Sequence, residues 1–158
     1  MGSRQRAWGV ATALGLLLTL LGPATRVDGQ AAEAGRVKVS HGAAWIERGG
    51  SRLPASVGAT VQAADIVVTG ADGAVGITFA DDSRLSIGPD TTLAIDRFAF
   101  DPTTHQGRFE TSLRRGTLLG VSGKLARQSP QAMKVRTPAA ILGVRGTRFA
   151  VQTAEATR

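Results

Sequence analysis

The chain has no cysteine and no tyrosine, and holds two tryptophans, five phenylalanines and two histidines in 158 residues. Each shortage closes a route. Without cysteine there is no disulfide, no thiolate metal site and no lipoprotein anchor. Two isolated histidines, His41 and His105, make a catalytic triad or a histidine-rich metal site a poor fit. With so few aromatics the core must be built from aliphatic side chains. No apolar run after Gly22 is long enough to span a bilayer.

The amino terminus carries an ordered signal. Arg4 and Arg6 precede an uncharged stretch from Ala7 to Gly22, with Ala13–Leu21 its most apolar part, and Pro23 and small residues follow. Positive, apolar, then small is the layout of a secretory signal peptide. The 16 residues between Arg6 and Pro23 fall short of the roughly 18 to 20 a comfortable span needs. Ala32-Glu33-Ala34 is an A-x-A cleavage site, with Gly22-Pro23-Ala24 and Gly29-Gln30-Ala31 as alternatives. There is no myristoylation pattern and no twin arginine. The expected organisation is a signal peptide over 1–34, one domain over 35–153, and a tail over 154–158. Export to the periplasm of a Gram-negative bacterium follows; an uncleaved signal holding the domain at the inner membrane is the alternative.

Charge is distributed unevenly. Residues 35–101 hold six basic and eight acidic residues, whereas 102–158 hold ten basic and two acidic, Glu110 and Glu155. Export argues against nucleic acid as the partner of the basic half. An acidic envelope protein, anionic polysaccharide or lipid headgroups are the candidates. Arg114, Arg115, Lys124 and Arg127 are the candidate partner-binding residues, within a wider basic set that includes Arg108 and Lys134.

Apolar residues recur with period two in Val37-Lys38-Val39, Ile77-Thr78-Phe79, Leu85-Ser86-Ile87, Leu93–Phe98 and Phe149-Ala150-Val151. Gly49-Gly50, Gly70–Gly73, Asp81-Asp82, Gly88-Pro89-Asp90 and Asp101-Pro102 bound these runs with turn residues. Short alternating runs between frequent turns mean an all-β fold. The expectation is a meander of short antiparallel hairpins curled into a roll or sandwich, with a β-solenoid-like stack as the alternative. Strands are expected near 36–40, 43–48, 60–62, 66–69, 74–80, 84–88, 92–100, 107–115, 117–122, 133–137, 140–144 and 147–152. Lys124–Gln131 reads as an exposed loop. Trp45, Phe79, Phe98, Phe100, Phe109 and Phe149 are the expected large members of the core.

Five segments, taken in order, resemble one family. Ala64-Asp65-Ile66-Val67-Val68-Thr69 resembles the G-D-x-I/V-x-T segment of FecR-domain proteins. Phe79–Leu85 is similar to their L-x-D-G-S-x-L hairpin, Pro89–Leu93 to P-x-T/S-x-L, and Leu113–Leu118 to L-x-x-G-x-L. Val135–Val151 follows V-x-T-P-x-A-x-x-x-V-R-G-T-x-F-x-V. The resemblance implies a periplasmic β domain, which in membrane-spanning members relays a signal from an outer-membrane receptor to a cytoplasmic sigma factor. Here nothing precedes the signal peptide and the chain stops at Arg158, so a stand-alone secreted module without the anti-sigma part is expected. Ala64 and Asp82 stand where the family has glycine, so those turns must bend another way or be tightened by Asp82.

Chemistry-bearing motifs are few, and no cofactor is expected. Asp101 with His105 is the only close pair for a metal, and reads as a loop. Gly120–Lys124 resembles a phosphate loop, but Leu118 and Leu125 occupy positions that need glycine and Ser/Thr. Asp81, Asp82 and Asp90 read as turn residues, not a calcium loop. Asp65, Thr69, Thr137, Pro138, Arg145, Gly146 and Thr147 are the family-pattern residues, read as structural. Gly146 would supply a bulge or positive φ, and Arg145 would pair with Asp65 or Asp81. A docking role for Arg145 is the competing reading. Thr137-Pro138 would end a strand. An enzyme is not expected.

Overall fold

In a computed structural model the described residues are 32–146 and 148–154. Most of the expected signal peptide, Thr147 and residues 155–158 lie outside them. The strands are β1 (Glu33–His41), β2 (Ala44–Arg48), β3 (Ser51–Pro54), β4 (Thr60–Gln62), β5 (Ile66–Thr69), β6 (Ala74–Phe79), β7 (Arg84–Ile87) and β8 (Thr92–Phe100). They continue as β9 (Gly107–Val121), β10 (Met133–Arg136), β11 (Ile141–Gly143) and β12 (Arg148–Thr153), with one helix, α1 (Lys124–Gln128), after β9.

The chain is all-β, a largely antiparallel sheet curled into a half-barrel. The order along the main path is β3-β2-β5-β8-β9-β7-β6-β1-β4. It is not the expected meander. Strands β1 and β2 pair with β6 and β5, far along the chain, because their apolar residues are needed on both walls of the core. Among the described residues the single parallel pairing is β10 beside β9.

Strand β9 organises the curl. Its first half lies between β8 and β10, and its second half between β7 and β12. The change of neighbours occurs around Gly116, whose φ of +91° is open to glycine at little cost. A side chain there would also strike Thr91, since a Cβ would sit 2.1 Å from its Oγ1. The expected strands 107–115 and 117–122 are therefore one strand, bent where a turn was anticipated.

The core is mostly aliphatic. Val37, Val61, Val67, Leu93, Ile95, Leu113, Leu118 and Val135 are completely buried. Phe79 and Phe109 are buried among them, and Phe98 packs on both, with its ring edge-on to Phe109 at 5.1 Å. Phe100 and Phe149 are only partly buried. Trp45 is partly buried but outside the core cluster: Arg52 lies over its ring at 4.5 Å and its indole N–H donates to Glu47. Lys124–Gln131 is not wholly a loop either. Leu125 and Ala126 are buried, and burying them folds the start of the segment into α1.

Candidate functional site

Polar residues of the family pattern go largely into the fold. Asp65, 0% exposed, takes a two-pronged contact from Arg48, with Nε to Oδ1 and Nη2 to Oδ2 both at 2.7 Å. Arg48 also donates to the Thr60 carbonyl, and the Gln62 N–H donates to Asp65. Hydrogen bonding to Asp65 raises the Arg48 guanidinium above its ordinary range despite the opposing effect of burial. One buried carboxylate thus ties β2, β4 and β5 together, as a guanidinium fork is suited to do.

Two more clusters do similar work. The Thr69 hydroxyl donates to the Gly88 carbonyl and accepts from the Thr91 N–H, while the Thr91 hydroxyl accepts from the Thr117 N–H. These bonds fasten the Pro89–Asp90 turn to β5 and β9. Asp81, also 0% exposed, accepts from the Ser83 N–H and hydroxyl. The Ser83 hydroxyl in turn accepts from Gly123, and the Asp81 carbonyl accepts from Lys124. The Gly120–Lys124 segment is therefore packed onto a turn: a Cβ on Gly123 would lie 2.1 Å from the Asp81 carbonyl oxygen.

The two turns that lack the family's glycine keep the left-handed conformation. Ala64 has φ +69° and Asp82 has φ +66°. Of the two expectations, a different bend or tightening by Asp82, the different bend is not found; surrounding hydrogen bonds hold both turns. The Ala64 N–H donates to Ile95 and the Asp82 N–H to Phe79. Asp82 also pairs with Lys124 at 2.8 Å, and that contact holds its carboxyl below the usual range.

The expected pairing of Arg145 with Asp65 or Asp81 does not form. Arg48 occupies Asp65 and Ser83 occupies Asp81, and Arg145 is exposed beside Ser129, Pro130 and Gln131. Gly146 has the anticipated positive φ, +111°, and its carbonyl accepts from the buried Ser122 hydroxyl. Thr137 and Pro138 do end a strand: the Thr137 hydroxyl accepts from the Ala140 N–H in the turn between β10 and β11. His105 stacks on Phe100, and Asp101 accepts from the Thr103 and Thr104 N–H groups. Among the described residues no three metal-ligating side chains converge.

The candidate basic residues of the second half sit on two different elements. Arg114 and Arg115 lie in the middle of β9, and Lys124 and Arg127 lie on α1 beyond its end. Lys124 is held by Asp82, and Glu110 draws on both Arg108 and Arg136.

A different surface does gather. Register places Arg84, Val121 and Arg148 side by side on β7, β9 and β12, and Ser86, Leu119 and Ala150 in the next row. These outward positions line a trough of about 680 Å³. The two arginines stand two strands apart, roughly 10 Å. Neither has an ion-pair or hydrogen-bond partner among the described residues. Leu119 is 51% exposed between them. Beneath, Phe149 covers the bare backbone of Gly120, where a Cβ would lie 2.0 Å from the ring. The sequence reading missed this surface, because it exists only through the β7-β9-β12 order. Its one local hint is Leu119, an apolar residue at an outward position of an alternating strand.

A family model described as FecR protein matches residues 65–158. The chain belongs to the FecR family. The match begins at the buried Asp65, so Arg48 reaches it from the preceding segment, and β1 to β4 complete a sheet whose other strands lie within the match. No curated protein and no solved structure matches the chain. FecR proteins form a regulatory, signal-transducing family. No helix among the described residues is long and apolar enough to cross a membrane.

Proposed function

We propose that this FecR protein is an exported, non-catalytic interaction or sensory module of the bacterial envelope, meeting an acidic envelope protein at the trough between β7 and β12. Family membership supports the signalling role, and the amino-terminal signal supports export to the periplasm. The trough carries the reading: two arginines, unpaired among the described residues, flank an exposed leucine on the sheet. Charge there would speed encounter with an acidic partner, and the apolar floor would hold it.

Signal cleavage belongs before Glu33 on this reading. Ala34 is 1% exposed in β1 and its carbonyl accepts from the Ala80 N–H, so removing it would open the core. Cleavage after Ala24 or Ala31 leaves β1 whole. Amino-terminal sequencing of exported protein should begin at Thr25 or Ala32; a chain still starting at Met1 would contradict cleavage.

The competing reading, attachment to anionic polysaccharide or lipid through the basic half, has less support because Arg114, Arg115, Lys124 and Arg127 are split between two places. A photo-crosslinking residue at Leu119, compared with one at the exposed Val57, separates the two in intact cells. A discrete protein adduct from position 119 alone supports the proposal. Glycan or lipid adducts favour the competitor, and identical results from both positions would overturn a role for the trough.

A further inference from the structure

Among the described residues the sheet has four outer strands, and three are blunted. Strand β3 is four residues long and ends in Pro54, β4 has three residues, and β11 has three including Gly143. Native sheets protect their edges with short strands, proline, charge or bulges, because an unpaired edge recruits another strand. Strand β12 has none of these protections along its length. It runs six residues, Arg148-Phe149-Ala150-Val151-Gln152-Thr153, with no proline, no lysine and one charge at its start. It pairs only with β9. Its inward residues Phe149 and Val151 pack on the core yet remain half-buried, so that margin of the core is open.

We infer that β12 is a dimerisation edge, and that its partner is β12 of a second copy, antiparallel about a two-fold axis through Ala150. The residue pattern favours this occupant. Antiparallel pairing sets opposed residues on the same face, so the register must match inward with inward. With Ala150 on the axis, Phe149 meets Val151 of the partner subunit and Val151 meets Phe149 of the partner subunit. Arg148 meets Gln152 of the partner subunit, whose amide oxygen accepts from a guanidinium. No like charges face each other. A shift of one residue would place Phe149 against an outward position. A shift that sets the axis on Val151 matches Phe149 with Thr153 of the partner subunit and strands Arg148. The pairing is isologous and uses five of the six residues of the edge, Arg148 to Gln152, so it closes at two copies. It also continues the row of Ser86, Leu119 and Ala150 across the axis. The inference does not depend on which envelope component meets the trough.

Ala150 meets its own copy, and this makes the test specific. The exported chain has no cysteine, so Ala150→Cys creates a single thiol. Mild oxidation should join two chains through it, while Gln152→Cys, off the axis, should remain without a cross-link under the same conditions. Sedimentation of the wild type should show a concentration-dependent dimer. Ala150→Lys and Ala150→Glu should each be monomeric with unchanged melting, and mixing them should restore the dimer. A wild type that stays monomeric at every concentration would overturn the inference. So would a dimer that survives Ala150→Lys, or equal cross-linking from positions 150 and 152.

Discussion

Between Asp65 and Gly123 the polar side chains of the family pattern turn inward, whereas between Ile141 and Thr153 many side chains turn outward. Asp65, Thr69, Asp81, Ser83 and Thr91 are all at most 1% exposed, and hydrogen bonds hold each of them. Arg145, Arg148 and Ala150 are exposed, and Phe149 and Val151 are covered only in part. Both regions belong to one family match. The two stretches of one family match thus divide by burial: the first group makes the curled sheet, and the second leaves side chains in solvent.

The sharpest way to break this comparison is Asp65→Ala against Arg145→Ala. Losing Asp65 leaves the Arg48 guanidinium and the Gln62 N–H without their buried partner. Breaking a pair whose carboxylate is buried should cost roughly 2 to 3 kcal/mol, the Gln62 N–H losing its acceptor while Arg48, 30% exposed, turns towards solvent. Arg145→Ala should change stability by less than about 0.5 kcal/mol, as surface substitutions generally do. Denaturant midpoints of the two variants measure the difference, and equal shifts would erase the distinction.

Gly146→Val probes the border of the outward region. Its φ of +111° resists a β-branched residue, yet nothing lies within 4 Å of a Cβ there. Strain alone should cost roughly 1 to 2 kcal/mol, less than Asp65→Ala. A melting curve unchanged by the substitution would mean the loop simply readjusts.

Ala64→Gly should move stability the other way. Ala64 holds φ +69°, and relieving a left-handed alanine gains about 1 to 2 kcal/mol before the extra freedom of glycine in the unfolded chain takes back part of it. A net rise of roughly 0.5 kcal/mol is expected. A loss would show that the Ala64 methyl contributes more than its backbone strain removes.

The smallest effect concerns acid. Lys124 lowers the Asp82 carboxyl below its ordinary 3.8, so this pair adds stability above that value and loses it as pH falls through the depressed one. In Lys124→Met that part of the acid dependence should flatten. Parallel acid curves for wild type and variant would show that solvent screens the pair fully.

Much of the fold was legible because alternation with period two survives in buried strands. The exceptions have local causes. Strand β3, Ser51-Arg52-Leu53-Pro54, is exposed throughout and carries no alternation, so it was not read as a strand. Helix α1 has only five residues and begins after Gly123, with no side-chain cap to announce it. Gly116 looked like a turn, but it bends a continuous β9. The site was less legible than the fold. Arg48 lies 17 residues before Asp65, and their meeting depends on the pairing of β2 with β5. The trough joins residues 84, 119, 121, 148 and 150, and spacing along the chain gives no sign of that grouping.

The division between an inward and an outward region is tested most directly by hydrogen exchange on dilute wild-type protein. The amides of Ala64, Thr91, Ile95, Gly123 and Lys124, which donate within the buried clusters and the hydrogen bonds around them, should exchange only through global unfolding. In β12 alternate amides point away from β9 and should exchange orders of magnitude faster, as an open edge requires. Uniform protection of β12 at the global level in dilute solution would contradict the account.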